Sequence, residues 1–175
     1  MDSFKRKNIV NQCGKILINE RFTGSFILLI ILGGLIHMSK IYEAVTINTG
    51  GREGKIYSKE KNFLYNVTSP GSGVADATNP EELFAAAYSA CFNGALELVM
   101  SRKKLDNATS VRATVALMNH GDVDFSIEVL LEVFIEGMSR EEALHLVEEA
   151  DQVCPYSKAL RGNTKVIIDV VNEDF

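Results

Sequence analysis

The sequence is poor in the side chains that bind metals or build covalent frameworks. Its 175 residues include three cysteines and three histidines. No Cys-x-x-Cys occurs, so thioredoxin-like dithiol exchange is not indicated. His37, His120 and His145 lack any ligand spacing, and no metal site is expected. No glycine-rich loop follows a strand and opens a helix, which leaves nucleotide binding without support. Positive charge is also scarce. The 18 Lys and Arg stand against 23 Asp and Glu, a net charge of −5, and this argues against nucleic acid as the partner. The apolar run Phe26–Ile36 has 11 residues, short of the roughly 20 that span a bilayer, so no membrane partner is expected. Residues 38–175 contain no internal repeat, low-complexity tract or linker.

What is present suits one packed domain, with hydrophobic residues at 46%. Charge divides the chain. Residues 1–37 carry five Lys/Arg and two Asp/Glu, whereas 38–175 carry 13 and 21. Such a break often marks a segment outside the fold. Leu32-Gly33-Gly34 can be encoded through AGGAGG, a ribosome-binding sequence, just ahead of the Met38 codon. The expectation is that translation starts at Met38 and that 1–37 is an N-terminal extension, translated upstream DNA or an unstructured apolar segment. Residues 38–175 then form a single domain with two cysteines. Basic residues do precede the apolar run, as in a signal peptide, but no small-x-small cleavage site follows it. A cytoplasmic location is expected, where a cysteine pair is more often reactive than structural.

The pattern reads as α+β. Ile41–Asn48, 55–58 and 63–67 read as strands, with a glycine turn at Thr49–Gly54 and a loop at 68–78. Asn79 as cap, Pro80 at the first helical position and Glu82 three residues after the cap predict a helix to about Ser101. From Leu83 to Met100 only Ser89, Asn93 and Glu97 are polar. A helix apolar on nearly every side is a buried helix. A chain this small can hardly wrap it, so a homodimer covering it from both sides is expected. Val111–Asn119 and Asp124–Glu136 alternate as strands. Ser139-x-x-Glu142 is a capping box, and Cys154-Pro155 restarts a short helix before a last strand at Lys165–Asn172.

Two readings of Cys91 stay open at this level. A free cysteine in an apolar helix is most often a small hydrophobe. Cys91 lies three turns past the helix start, beyond the reach of the dipole, and burial raises a thiol pKa. A reactive Cys91 therefore requires a cation brought from elsewhere. Cys154 stands at a helix cap, where backbone N–H groups favour a thiolate.

Asn79-Pro80-Glu81-Glu82-Leu83-Phe84-Ala85-Ala86 with Tyr88-Ser89-Ala90-Cys91-Phe92 resembles the first cysteine motif of the organic hydroperoxide resistance (Ohr/OsmC) family. Cys154-Pro155-Tyr156-Ser157-Lys158-Ala159-Leu160-Arg161-Gly162-Asn163 resembles the second, and Gly50-Gly51-Arg52-Glu53-Gly54 the glycine-flanked arginine near that family's start. The three stand in order and cover about residues 39–172, with the Ohr branch the better match. The resemblance implies an α+β, OsmC/Ohr-like fold, an intertwined dimer with antiparallel sheets around long buried central helices. It implies a thiol peroxidase with no bound cofactor, reducing organic hydroperoxides. Cys91 matches the attacking cysteine, Cys154 the resolving one, Arg52 the activating arginine and Glu81 its carboxylate partner. A dihydrolipoyl group on a lipoylated protein is the implied external reductant.

The residue types suit these roles. Arg52 is permanently charged and planar and can hold a thiolate, and Glu81 can supply its counter-charge. Phe84, Tyr88 and Phe92 are expected to form an apolar substrate wall that favours alkyl or fatty-acid hydroperoxides. Glu81 and Cys91 are ten residues apart, about 15 Å along an ideal helix. Either Arg52 bridges that gap or Glu81 serves the neighbouring subunit's cysteine, and the second is the expectation. The rivals are an OsmC-like peroxidase with another peroxide preference and a non-catalytic dimeric module that binds apolar ligands.

Overall fold

The computed structural model describes residues 39–60 and 62–175; the expectation for residues 1–37 lies outside them. Residues 39–42 carry no helix or strand. Residues 43–175 form a compact α+β unit. Its elements are β1 (Thr46–Thr49), β2 (Gly54–Ser58), β3 (Leu64–Val67), β4 (Ala77–Thr78), α1 (Pro80–Arg102), β5 (Thr109–Gly121), β6 (Asp124–Ile135), α2 (Arg140–Val153), α3 (Pro155–Leu160) and β7 (Lys165–Val170). They make a four-stranded sheet, β1-β2-β3-β4, and a three-stranded one, β5-β6-β7.

The sheets are mixed where only antiparallel pairing was expected. The β1/β2, β2/β3 and β5/β6 pairs are antiparallel, but β3/β4 and β6/β7 are parallel. A parallel neighbour needs a crossover, and α2 with α3 provides it between β6 and β7. The first strand begins at Thr46 rather than Ile41, because Thr46 pairs with Ser58, where β2 ends.

The core lies between α1, α2 and β6. Val129, Leu131, Val133 and Ile135 of β6 alternate onto one buried face, as the two-residue period of a strand requires. On α1, Tyr88, Phe92, Leu96, Val99 and Met100 form a stripe at helical spacing against them. Ala143, Leu146, Val147 and Ala150 of α2 close the third side. Burying Phe92 or Leu96 contributes about 1.5–3 kcal/mol each. By length and composition α1 is apolar enough to cross a membrane, and this packing accounts for the apolar stripe on its core-facing side.

Two surfaces stand largely open among the described residues. The reverse face of α1, with Ala86, Ala90, Gly94 and Leu98, is exposed. In the four-stranded sheet Val67 is the sole buried residue, while Ile47, Leu64 and Tyr65 stand open to solvent. A sheet ordinarily packs at least one face against another layer, and among the described residues this one is only partly covered.

Candidate active site

The two expected cysteines come together. Pro155 lacks an N–H and disfavours helical backbone in the residue before it. Cys154 accordingly sits at φ −57°, ψ 121°, ending α2 and opening α3. The short α3 lies against α1, and the sulfurs of Cys154 and Cys91 are 3.7 Å apart. Both are free thiols, Cys154 buried and Cys91 half-buried. A disulfide is about 2.0 Å long, so bond formation needs only a small approach.

The environment of Cys91 does not ionise it within one chain. Burial pushes its thiol up, the backbone N–H of Tyr156 pulls it down, and the neighbouring Cys154 pushes it up again, for a net rise. A protonated thiol is a poor nucleophile.

Arg52 occupies the β1–β2 turn, whose shape follows from its glycines and Asn48. Gly50 has φ +81°, and a Cβ on Gly54 would fall 1.7 Å from the Thr49 carbonyl oxygen, so only glycine fits there. The Asn48 amide donates to the Gly51 carbonyl and accepts from the Gly51 N–H. The Glu53 carboxylate accepts from the Ser69 N–H at 3.1 Å and ties the turn to the loop before β4. Glu81 stands in the first turn of α1, which the Asn79 side chain caps by accepting from the Glu82 N–H at 2.8 Å.

Arg52 and Glu81 form a bidentate pair. Nη1 donates to Oε2 at 2.9 Å and Nη2 to Oε1 at 2.7 Å. The hydrogen bonds from Arg52 hold the Glu81 carboxyl below the usual glutamate range against the opposing effect of burial. Glu81 in turn raises Arg52, which leaves it a permanent cation. Glu81 is 12% exposed and Arg52 43%, so the carboxylate is seated and the guanidinium faces outward. A cleft of about 470 Å³ beside the pair is lined by Pro70, Asn79, Glu81, Ala85 and Leu117, among others, and by neither cysteine. One chain thus presents two devices, a dithiol in the helical core and a guanidinium held by Glu81, which stands ten residues and about 15 Å of helix rise before Cys91.

The three aromatics expected as a substrate wall divide. Tyr88 and Phe92 are fully buried in the core, because they share the helical stripe of Leu96. Phe84 is partly buried and stacks on the exposed Tyr156, ring centroids 6.3 Å apart. Of the three, Phe84 alone keeps a path to solvent. Two contributors escaped the sequence reading: the Tyr156 backbone N–H at Cys91, and Ser157, whose buried hydroxyl meets the Tyr88 hydroxyl at 2.9 Å. The Cys-Pro-Tyr-Ser run carries both, but no local pattern assigns their partners on α1. Among the described residues no three His, Cys, Asp or Glu side chains gather as a metal site would require.

The comparisons point one way. The family model described as OsmC-like protein matches residues 72–169. Organic hydroperoxide resistance protein-like 2 of Staphylococcus epidermidis is 44% identical over 138 residues, covering 75% of this chain and 96% of that protein. The organic hydroperoxide resistance protein OhrA of Bacillus subtilis is 42% identical over 135 residues, covering 74% and 96%. The crystal structure of OhrB of Bacillus subtilis superposes with a TM-score of 0.70 at 37% identity, over 75% of this chain and 100% of that one.

Proposed function

The chain belongs to the OsmC-like family, among the organic hydroperoxide resistance proteins, and from that premise we propose that it is a two-cysteine peroxidase for organic hydroperoxides. The observation that carries the reading is the 3.7 Å between the sulfurs of Cys91 and Cys154. The Cys91 thiolate attacks one peroxide oxygen. The O–O bond breaks, the alkoxide takes a proton and leaves as an alcohol, and Cys91 becomes a sulfenic acid. Cys154 attacks that sulfur, the S–O bond breaks, water leaves and a disulfide forms. A dithiol of the dihydrolipoyl type, carried on a lipoylated protein, returns both thiols by exchange. The chemistry calls for no bound cofactor. It does call for a compartment that keeps the resting pair reduced, so we assign the protein to the cytoplasm.

The thiolate needs a cation, and both terminal nitrogens of Arg52 are engaged by Glu81, ten residues before Cys91 on α1. In this reading two chains intertwine. The uncovered sheet and the reverse face of α1 become the interface, and the Arg52–Glu81 pair of one chain serves Cys91 of the other. Phe84 and Tyr156 offer the apolar surface that prefers an alkyl chain to hydrogen peroxide.

The test is to count thiols after one equivalent of cumene hydroperoxide. The peroxidase loses two, from Cys91 and Cys154, and Cys91→Ser loses none. Two free thiols remaining in the intact protein would overturn the assignment. That outcome supports a dimeric ligand-binding module, a reading favoured by the burial of Cys154 and the raised thiol of Cys91. Turnover of cumene hydroperoxide against hydrogen peroxide separates an OsmC-like preference.

A further inference from the structure

Helix α3 has six residues and no side-chain cap bond at its start, so its position depends on what it packs against. Tyr88 precedes Cys91 by three residues on α1, and Ser157 follows Cys154 by three on α3. Residues three apart share a helix face. The Tyr88 and Ser157 hydroxyls meet at 2.9 Å, a second rung beside the sulfur pair at 3.7 Å. The Tyr156 backbone N–H also reaches Cys91, but among the described residues the hydroxyl pair and the thiol pair are the two polar contacts between side chains that join α1 to the Cys154–Leu160 segment. Both side chains are buried, Tyr88 fully and Ser157 at 4% exposure. The Tyr88 ring is itself held between Phe84, Phe92 and Tyr156, at centroid distances of 6.0, 6.5 and 6.0 Å.

We propose that the Tyr88–Ser157 hydrogen bond is a register pin that keeps Cys154 within bonding reach of oxidised Cys91, and that both are positioning residues for the resolving step. The inference rests on the peroxidase reading. The sulfenic acid on Cys91 has two fates. Attack by Cys154 breaks the S–O bond, forms the S–S bond and releases water. Attack on a second organic hydroperoxide transfers another oxygen, gives the sulfinic acid and releases a second alcohol. A pin that fixes α3 favours the first fate without touching the peroxide.

The experiment treats the reduced full chain with excess cumene hydroperoxide and measures by mass spectrometry the ratio of Cys91 sulfinic acid to Cys91–Cys154 disulfide. Ser157→Ala is expected to consume the first equivalent at the wild-type rate yet to raise that ratio roughly fivefold, the weight of one hydrogen bond. Tyr88→Phe, which keeps the ring, is expected to raise the ratio similarly, and the double variant no further, since each change breaks the same bond. A wild-type ratio in both single variants overturns the proposal, even if their melting temperatures fall, because packing alone moves stability and not the partition. If Tyr88→Phe does not fold, Ser157→Ala decides. A failure of the peroxidase reading is distinguishable, because the wild type then forms no disulfide with one equivalent.

Discussion

Mixing a Glu81→Ala chain with a Cys91→Ser chain separates the two ways in which a guanidinium can reach the attacking sulfur. Within one chain Glu81, which holds the guanidinium, precedes Cys91 by ten residues on α1, about 15 Å of helix rise. At that distance in water two unit charges interact by about 0.3 kcal/mol before salt screening, less than a quarter of a pKa unit. Screening at physiological ionic strength, with a Debye length of about 8 Å, removes most of that. Across an interface, at about 4 Å and an effective dielectric constant near 20, the same charge supplies about 4 kcal/mol, close to three pKa units. Burial has raised the thiol, so the first value leaves Cys91 protonated and only the second is of a size that can oppose that rise. Each homodimer variant should therefore be inactive or nearly so. The mixed dimer should retain one intact site, with Arg52 and Glu81 from the Cys91→Ser chain and Cys91 from the other. Random pairing of equal amounts makes about half the dimers mixed, each with one site of two, so about one quarter of wild-type activity is expected. The assay is dihydrolipoamide-dependent loss of cumene hydroperoxide after co-refolding. Activity no greater than the mean of the two parents refutes the shared site.

Three further outcomes follow from the same geometry. In Cys154→Ser, peroxide is still cleaved once, but the Cys91 sulfenic acid persists and is trapped by dimedone, whereas in the wild type disulfide formation outruns the trap; equal trapping in both would remove Cys154 from the mechanism. Glu81 should titrate below the ordinary glutamate value in an NMR pH series, and Arg52→Ala should move it upward, since Arg52 lowers it. Its pair with Arg52 then stabilises the fold above the ordinary glutamate range and loses that contribution as pH falls through the lowered value; a carboxyl that titrates at the ordinary value contradicts the bidentate pair. Asn79→Ala removes the side chain that accepts from the Glu82 N–H and should cost about 1 kcal/mol, a fall of a few degrees in thermal melting; an unchanged melting temperature would mean that the cap is replaced from elsewhere.

Local rules were legible wherever a residue's partner lies a few positions away. The α1 start at Asn79-Pro80, the capping box at Ser139–Glu142 and the break at Cys154-Pro155 all stand where their side-chain chemistry placed them. The alternation of β6 foretold its buried face only over Val129–Ile135. Phe125 keeps the rhythm yet stands exposed, because β7 pairs with β6 no further back than Glu128. Non-local partners were not legible. Nothing around Ser157 points to Tyr88, 69 residues earlier, and the helical period alone put Tyr88 and Phe92 on an apolar face without saying whether that face meets substrate or sheet. The Arg52–Glu81 pair spans 29 residues; the family resemblance supplied it, while the residues by themselves fixed only that Cys91 needs a cation.

That need ties the chemistry to assembly. The turn bearing Arg52 belongs to the sheet that is only partly covered among the described residues. Were the sheet to fold onto its own core, its exposed Ile47, Leu64 and Tyr65 would gain cover, but Arg52 would remain fastened to Glu81 at the start of α1, a fixed distance from its own Cys91. Docking on a second copy is different. In the proposed dimer it would cover the same apolar residues and carry the outward-facing guanidinium onto a different helix, where the half-buried sulfur of Cys91 lies three turns in. The hydrophobic gain of association and the electrostatic gain at the thiol then come from one rigid-body contact. A separated chain would keep the two cysteines close together and Cys91 protonated. On this reading the burial that silences Cys91 in one chain is part of the device, because the thiol becomes nucleophilic only where a partner's charge has replaced the water that burial removed.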